Sequence, residues 1–261
     1  MKLPKHIIAA VLFLIAIGAI AYMSFGVMAA DVDKIKYISL EGNFHLSKES
    51  YLKYAMLSNR NILGSLTVQI IKDRIEKHPY VASADVRYDG NNKVTVKITE
   101  KNFESMLFIN EEQYLISDRL QVLPVLENSK QIDYPVIANV QLNKAVKMLS
   151  SIKKNYDVLT AAKIIGAVKL ANPEMHDALS SIDMQNGGEI SVYFSSFDYP
   201  VMLGRGNELR KILYFSNFWN FLKGKELNNY MEYVDLRYGG HIFLGLLEQS
   251  EQNQEVMEKK S

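Results

Sequence analysis

The sequence predicts an α+β protein with one N-terminal transmembrane helix, a small module in the order β-α-α-β-β, and a mixed β-domain with packed helices. Three observations lead to this prediction. Residues 7–30 carry no charge, residues 34–101 combine two helical patterns with three strand patterns, and residues 102–248 contain many short apolar runs. Hydrophobic residues make up 48% of the chain, which is enough to form a buried core.

The uncharged run over residues 7–30 is long enough to cross a bilayer. A helix rises about 1.5 Å per residue, and the hydrocarbon core is about 30 Å thick. Two lysines precede the run and two aspartates follow it. This bias predicts that residues 1–6 are a cytoplasmic stub and that the rest of the chain is exported. A cleaved signal peptide is the alternative, because Val27-Met28-Ala29 resembles a cleavage site, but the run exceeds the usual core of roughly 7–15 residues.

The first exported unit, residues 34–101, begins with a strand and two helices. The strand is predicted over residues 34–41. Ser47 and Thr67 precede the two helical stretches and are good N-cap residues, because their hydroxyls can accept a free backbone N–H of the first turn. A loop over residues 58–66 is predicted to join the helices.

A β-hairpin completes this unit. Apolar and polar residues alternate over residues 82–88 and again over 93–99, and Asp89-Gly90-Asn91-Asn92 between them is typical of a tight turn. The order β-α-α-β-β resembles a POTRA domain, a docking module of exported proteins. The edges of such a small sheet can bind an extended partner as an added strand. A plain α+β packing unit is the alternative.

The second exported unit, residues 102–248, is predicted to be the mixed β-domain. Pro124 and Pro135 place their strands at sheet edges, because proline cannot donate to a ladder. Asn207 is predicted to cap a helix that ends near Leu222. The other helices are predicted at residues 142–152 and 157–170, and the strands at 106–109, 114–116, 122–126, 134–137, 181–184, 189–194, 199–203, 232–237 and 241–246. The last two strands form either a pair or one long strand kinked at Gly239-Gly240. Residues 249–261 are predicted to be a disordered polar tail.

Composition and motifs argue against several classes of site. The 30 basic and 29 acidic residues give a net charge of +1, so no basic face for nucleic acid is predicted, and the chain has no cysteine. The five histidines lack metal-site spacing. Gly204-x-Gly206 lacks the third glycine of a nucleotide loop, and Glu111-Glu112 is typical of a solvated turn. We therefore predict no catalytic residue, no cofactor, no metal and no small-molecule substrate.

The chain resembles the FtsQ/DivIB family of cell-division proteins. The short basic N-terminus with one span is the first feature of this resemblance. The others are Ile38-Ser39-Leu40-Glu41-Gly42-Asn43, Pro79-Tyr80-Val81-Ala82-Ser83-Ala84-Asp85-Val86-Arg87, and the pairing of Leu203-Gly204-Arg205-Gly206 with Tyr233-Val234-Asp235-Leu236-Arg237-Tyr238. The resemblance covers about residues 1–247.

The resemblance implies a non-enzymatic, single-pass scaffold of the bacterial divisome, held in the inner membrane at the division septum by residues 7–30. It implies a POTRA domain over residues 34–101 and an FtsQ-type β-domain over 102–248. Partners of the FtsB and FtsL type are expected, and the FtsB-type partner would add a strand along the last strand of the β-domain. Carried onto this sequence, the partner-binding residues are Arg237, Tyr238, Gly239, Gly240, His241, Ile242 and Phe243.

The residue types at this site agree with docking but leave alternatives open. A strand near the end of the chain, with no later strand to cover it, has a free edge. Arg237 can bind a partner carboxylate or pair with Asp235, and Tyr238 can anchor an interface or pack in the core. The alternative functions are a membrane-anchored exported cell-wall enzyme and a POTRA-type assembly or transport factor.

Overall fold

The structure, a computed structural model, describes residues 13–22, 34–130 and 132–247. Residues 13–22 are helical and form α1. Among the described residues, no helix is both long enough and apolar enough to cross a membrane. The predicted span over residues 7–30 lies largely outside the described residues, and the predicted tail over 249–261 lies wholly outside them.

The first unit is a three-stranded sheet packed with helices. Its elements are β1 (Tyr37–Glu41), α2 (Lys48–Tyr54), α3 (Arg60–Leu63), α4 (Val68–Glu76), β2 (Val81–Gly90) and β3 (Lys93–Glu100). Strand β3 lies in the centre, parallel to β1 and antiparallel to β2. The predicted order is confirmed, with one addition. Helix α3 forms where a loop was predicted, because the Asn59 side chain accepts the N–H of Asn61 and caps one short turn.

Local sequence signals account for the boundaries of this unit. The Ser47 hydroxyl accepts the N–H of Ser50 at 3.2 Å, so its predicted cap is confirmed. The Thr67 hydroxyl likewise caps α4. Asn91 and Asn92 both adopt left-handed backbone angles, with φ of 50° and 61°, and form the two-residue turn between β2 and β3. Asparagine tolerates this conformation, which matches the right-handed twist of the hairpin strands.

The second unit is a nine-stranded mixed sheet with two long helices packed on its core. Its strands are β4 (Phe103–Ile109), β5 (Glu112–Ser117), β6 (Val122–Pro124), β7 (Val136–Ala138), β8 (Leu179–Asp183), β9 (Ser191–Phe194), β10 (Val201–Met202), β11 (Met231–Asp235) and β12 (Phe243–Leu246). Its helices are α5 (Tyr156–Ala171), α6 (Pro173–Asp177) and α7 (Glu208–Leu222), with short 3-10 helices at Gln185–Gly187 and Glu226–Tyr230. The spatial order is β12-β11-β10-β9-β8-β7-β4-β5-β6.

The helix predicted over residues 142–152 is wrong, because this segment runs as irregular backbone beside β6. The N–H of Val122 donates to the carbonyl of Ser150 at 3.0 Å, and the N–H of Leu149 donates to the carbonyl of Val122 at 2.8 Å. A bridge between Gln121 and Ser151 adds to this pairing. Backbone groups that a helix would use internally are thus bonded to the edge of the sheet, which outweighs local helix propensity.

Two further local predictions need correction. Pro124 does lie in the edge strand β6, but Pro135 precedes β7, which lies inside the sheet between β4 and β8. Because Pro135 stands before the first residue of the strand, it removes no donor from the ladder, and its carbonyl accepts the N–H of Met106. Asn207 occupies the N-cap position of α7 with a left-handed φ of 58°, but its side chain makes no capping bond. The Glu208 carboxylate accepts the Gly206 N–H there instead.

Strands β4, β5 and β6 form a shared wall between two hydrophobic cores. On β5, Leu115 packs into the core of the first unit and Ile116 into that of the second. On β6, Leu123 packs into the core of the first unit and Val122 into that of the second. This follows from the strand period of two, which sends successive side chains to opposite faces. The first core therefore extends beyond residue 101 into the opening strands of the second unit.

Polar contacts reinforce this joint. The Tyr80 hydroxyl donates to the carbonyl of Pro124 at 3.0 Å and accepts the N–H of Leu126 at 2.9 Å. The N–H of Lys130 donates to the carbonyl of His45 at 2.7 Å. Each contact links the first unit to residues that follow β6, so the relative position of the two units is fixed by hydrogen bonds as well as by packing.

Candidate functional site

Two strands form the edges of the nine-stranded sheet, and they are protected differently. Strand β6 has only three residues, ends in a proline, and is covered by the backbone of residues 149–152. Strand β12 pairs with β11 on one side and has no neighbour on the other side within the described residues. A bare edge of this kind is a template for an added strand. Within the part of the chain that the structure describes, the unprotected edge of this sheet is therefore at β12.

The edge at β12 is strongly apolar. Phe243 is 51% exposed, Leu246 56% and Leu247 51%, and Leu244 is exposed as well. Natural edge strands usually carry charges, prolines or bulges that discourage pairing. Because β12 carries large apolar side chains instead, its surface is suited to contact with another protein.

The backbone donors on the outer side of β12 can be assigned from the hairpin. The N–H of Leu247 donates to the carbonyl of Tyr230 at 2.9 Å, which points it towards β11. Since backbone N–H groups alternate along an antiparallel strand, those of Leu244 and Leu246 point away from β11. These two donors are thus directed to the side where a further strand would lie.

The predicted site residues lie at the start of this edge, in a loop rather than a strand. Residues 236–242 connect β11 to β12, and of the residues from Arg237 to Phe243 only Phe243 lies in a strand. The strands predicted over residues 232–237 and 241–246 therefore have different inner ends in the structure, where they span Met231–Asp235 and Phe243–Leu246. Gly240 adopts a left-handed φ of 80°, and the N–H of His241 donates to the carbonyl of Tyr238. This turn makes the last strands a hairpin, which confirms the predicted pair rather than a single kinked strand.

Arg237 is held by Asp235, as one of the two sequence interpretations proposed. Its Nη2 lies 2.7 Å from Oδ2 of Asp235, and its Nε lies 3.0 Å from Oδ1. The Arg237 guanidinium lowers the pKa of the buried Asp235 carboxyl through these hydrogen bonds; burial opposes the shift, and Lys211 assists it. Tyr238 is 59% exposed and packs edge-on against Phe243, so the core-packing interpretation of Tyr238 is wrong.

The two C-terminal motifs meet at Gly204. Strand β10 runs parallel to β11, and a Cβ at Gly204 would lie only 2.6 Å from Oε2 of Glu189 and 2.8 Å from Cγ of Arg237, so any other residue would displace these side chains. Gly204 also has a left-handed φ of 63°. The next residue, Arg205, turns the other way and donates to the Asp157 carboxylate at 2.8 Å and to the carbonyl of Met184. This pairing fixes the loop that leads into α7.

A basic groove lies between this loop and the β11–β12 connection. It encloses about 530 Å³ and is lined by Arg205, Gly206, Asn207, Arg210, Lys211, Tyr214 and the residues from Leu236 to Ile242. The guanidinium of Arg210 lies 5.5 Å from the ring centre of Tyr214, and Lys211 donates to the carbonyl of Leu203 at 2.8 Å. The predicted site residues did not include Arg210, Lys211, Tyr214, Leu244, Leu246 or Leu247. Only the fold brings α7 to this loop, although the apolar run after Ile242 was a visible signal.

Replacing Asp235 with asparagine is expected to lower the free energy of unfolding at neutral pH. A carboxyl whose pKa is lowered by folding stabilises the protein above its unfolded pKa, about 3.9, and loses that contribution as the pH falls through the folded value. The difference in unfolding free energy between D235N and the parent should therefore shrink as the pH falls below about 3.9. Urea unfolding of both proteins at several pH values measures this difference in stability.

The matched control is Asp85, which pairs with Arg87 two residues away at 2.6 Å but is largely exposed. Asp85→Asn should change stability little, because exposed pairs contribute only about 0–1 kcal/mol. A pH-independent loss in D235N, or equal losses in the two variants, would contradict a stabilising role for the Asp235–Arg237 pair.

Comparison with protein families accounts for both units. The model described as POTRA domain, FtsQ-type, matches residues 33–101. The model described as Cell division protein FtsQ/DivIB, C-terminal, matches residues 107–237. The second match ends at Arg237, and so includes β11 and the Gly204–Arg237 contact but not β12.

Whole-chain relatives agree with the family models. The chain is 21% identical over 249 residues to the cell division protein FtsQ of Geotalea daltonii, an alignment covering 94% of this chain and 87% of that protein. It is 23% identical over 209 residues to the cell division protein DivIB of Clostridium acetobutylicum, covering 79% of this chain and 80% of the relative. The resemblance inferred from the motifs is thereby confirmed, and the chain belongs to the FtsQ/DivIB family of cell-division proteins.

Proposed function

We propose that this protein is a non-enzymatic, single-pass membrane scaffold of the bacterial divisome, which recruits and links division proteins by accepting a partner strand at β12. The observation that carries the proposal is the apolar outer edge of β12 at one end of the nine-stranded sheet, where no described residue pairs with it. Main-chain hydrogen bonds supply affinity in this mode of recognition, and side-chain contacts supply specificity.

The partner proposed for this edge is a strand of the FtsB type, delivered together with an FtsL-type protein. A strand added to β12 would lie beside Phe243, Leu244 and Leu246, so we expect apolar residues in it. Because Arg237 already pairs with Asp235, Arg210 and Lys211 are the cations better placed to meet a partner carboxylate at the groove. The predicted residues 237–243 then form the entrance to the site, and β12 forms its main length.

The proposed location is the inner membrane at the division septum, with the N-terminus in the cytoplasm. Support for the anchor comes from the sequence, in which residues 7–30 are uncharged and follow two lysines. In this arrangement the POTRA domain and the β-domain lie outside the cytoplasm, where they would meet the exported parts of other membrane proteins.

Site-specific photo-crosslinking in dividing cells tests the proposal. A photoreactive amino acid at Leu244 is expected to give an adduct with a small membrane protein of the FtsB type. The matched control is Leu170 on α5, which is 90% exposed and lies outside the proposed edge. Equal adducts at Leu170 and Leu244, or no FtsB-type adduct at Leu244, would overturn the assignment of the site.

A further inference from the structure

A second surface, away from β12, combines positive charge with an apolar concavity. We call residues 142–155 the lysine segment. Residues 136–156 contain four lysines and no acidic residue. The four lysines are Lys144, Lys147, Lys153 and Lys154. A run of this length with one sign of charge is a candidate binding surface for the opposite charge.

The charge of the lysine segment is not neutralised within the fold. None of its four lysines forms an ion pair with any described residue. The nearest acid along the chain, Asp157, is buried and pairs with Arg205. Lys144, Lys147, Lys153 and Lys154 are all exposed. Their charges are therefore available to a partner.

An apolar hollow lies among these charges. It encloses about 390 Å³, and its lining includes Lys144, Lys147 and Lys154. The branched apolar side chains in the lining are those of Val122, Leu142, Val146 and Ile152. Next to the hollow, Met148 and Leu149 are each 45% exposed. The surface thus offers a recess for an apolar side chain with cations around it.

Leu149 is held in a backbone conformation that leucine rarely adopts. Its φ is +60°, a left-handed value that is unfavourable for a bulky residue. The Leu149 N–H donates to the carbonyl of Val122, and its carbonyl accepts from Nε2 of Gln121, both at 2.8 Å. Hydrogen bonds to Gln121 and Val122 therefore hold Leu149 in this strained conformation, while the Leu149 side chain gains little burial. Strained and exposed residues of this kind are concentrated at binding sites.

We propose that the lysine segment binds an acidic peptide segment of a partner protein, with an apolar side chain of that segment seated in the hollow. The four lysines can pair with carboxylates of the partner segment, and the hollow can receive one of its apolar side chains. A membrane surface is the less suitable occupant, because the lysine segment is irregular backbone and not an amphipathic helix, and a bilayer would leave the hollow unfilled. This surface is separate from β12, so the proposal goes beyond strand addition.

Fluorescence anisotropy with defined peptides tests the proposal on the full chain in neutral detergent. The probe is a labelled peptide with a central Leu-Phe pair between runs of glutamate, and its partner probe has Ser-Ser at the centre. We expect the Leu-Phe probe to bind at least tenfold more tightly. The combined variant Lys144→Glu/Lys147→Glu should weaken its binding at least tenfold, and Ala145→Phe, which fills the hollow, should reduce its affinity to that of the Ser-Ser probe.

Matched variants separate this site from general electrostatics. Lys48 and Lys53 are exposed on α2 and form no ion pair among the described residues, so Lys48→Glu/Lys53→Glu makes the same change in net charge and should leave binding within twofold. Leu149→Asn suits the left-handed backbone and should weaken binding without lowering the unfolding temperature. Equal losses in the two charge-reversal variants would overturn the proposal. Equal binding of the Leu-Phe and Ser-Ser probes would also overturn it. So would tighter binding to anionic phospholipid vesicles than to the peptide, if the Lys144→Glu/Lys147→Glu variant lost that vesicle binding.

Discussion

Replacing Leu244 with proline is expected to weaken binding of an FtsB-type partner roughly a hundredfold. The N–H of Leu244 points away from β11, and proline would remove this donor from the outer edge. A partner carbonyl left unpaired in the new ladder, together with the clash of the ring, would cost about 3 kcal/mol. A pull-down of the partner and a binding titration with the full chain measure the loss.

Leu244→Ala is the control for this experiment, because it shortens the side chain but keeps the N–H. We expect its effect to be much smaller than that of L244P, about tenfold or less. Unfolding temperatures close to that of the parent protein would show that the β11–β12 hairpin survives in both variants. If L244P binds as tightly as L244A, the partner does not pair with the backbone of β12.

The parts of the fold that the sequence predicts well are those governed by local rules. The hairpin of β2 and β3 follows from strict alternation and from two asparagines that tolerate left-handed angles. The caps at Ser47 and Thr67 follow from hydroxyls at the right position. Each of these signals lies within about ten residues of the structure that it determines, so no knowledge of the tertiary fold is needed.

The failures occur where distant backbone decides the conformation. Residues 142–152 have a helical pattern, but their backbone groups bond to β6, some thirty positions earlier in the chain. The residues of the predicted site could be located from a family motif, yet the motif does not tell where the strand begins. The groove also needs α7, and Arg210 meets the loop after Leu236 only because β10 and β11 are neighbours in the sheet.

Residues 34–101 in isolation are expected to be far less stable than the same residues in the full chain. Phe103, Leu115 and Leu123 lie outside this fragment, but all three are buried in its core and at most 6% exposed. Full burial of each such side chain contributes about 1.5–3 kcal/mol, so their loss removes roughly 5–9 kcal/mol. A module of this size has little stability to spare, and we expect the fragment to be largely unfolded at room temperature.

Hydrogen exchange of β3 amides compares the fragment with the full chain directly. Tyr80→Phe in the full chain is a milder test of the same joint, because it removes the hydroxyl that bonds to Pro124 and Leu126 but keeps the ring. We expect it to lower the free energy of unfolding by about 1–3 kcal/mol. Equal protection of β3 in the fragment and in the full chain would contradict the shared wall. If the loss is as large as expected, the POTRA domain cannot turn independently of the β-domain, because β5 belongs to both cores. A partner bound at β12 is then held at a fixed orientation to the sheet of the first unit.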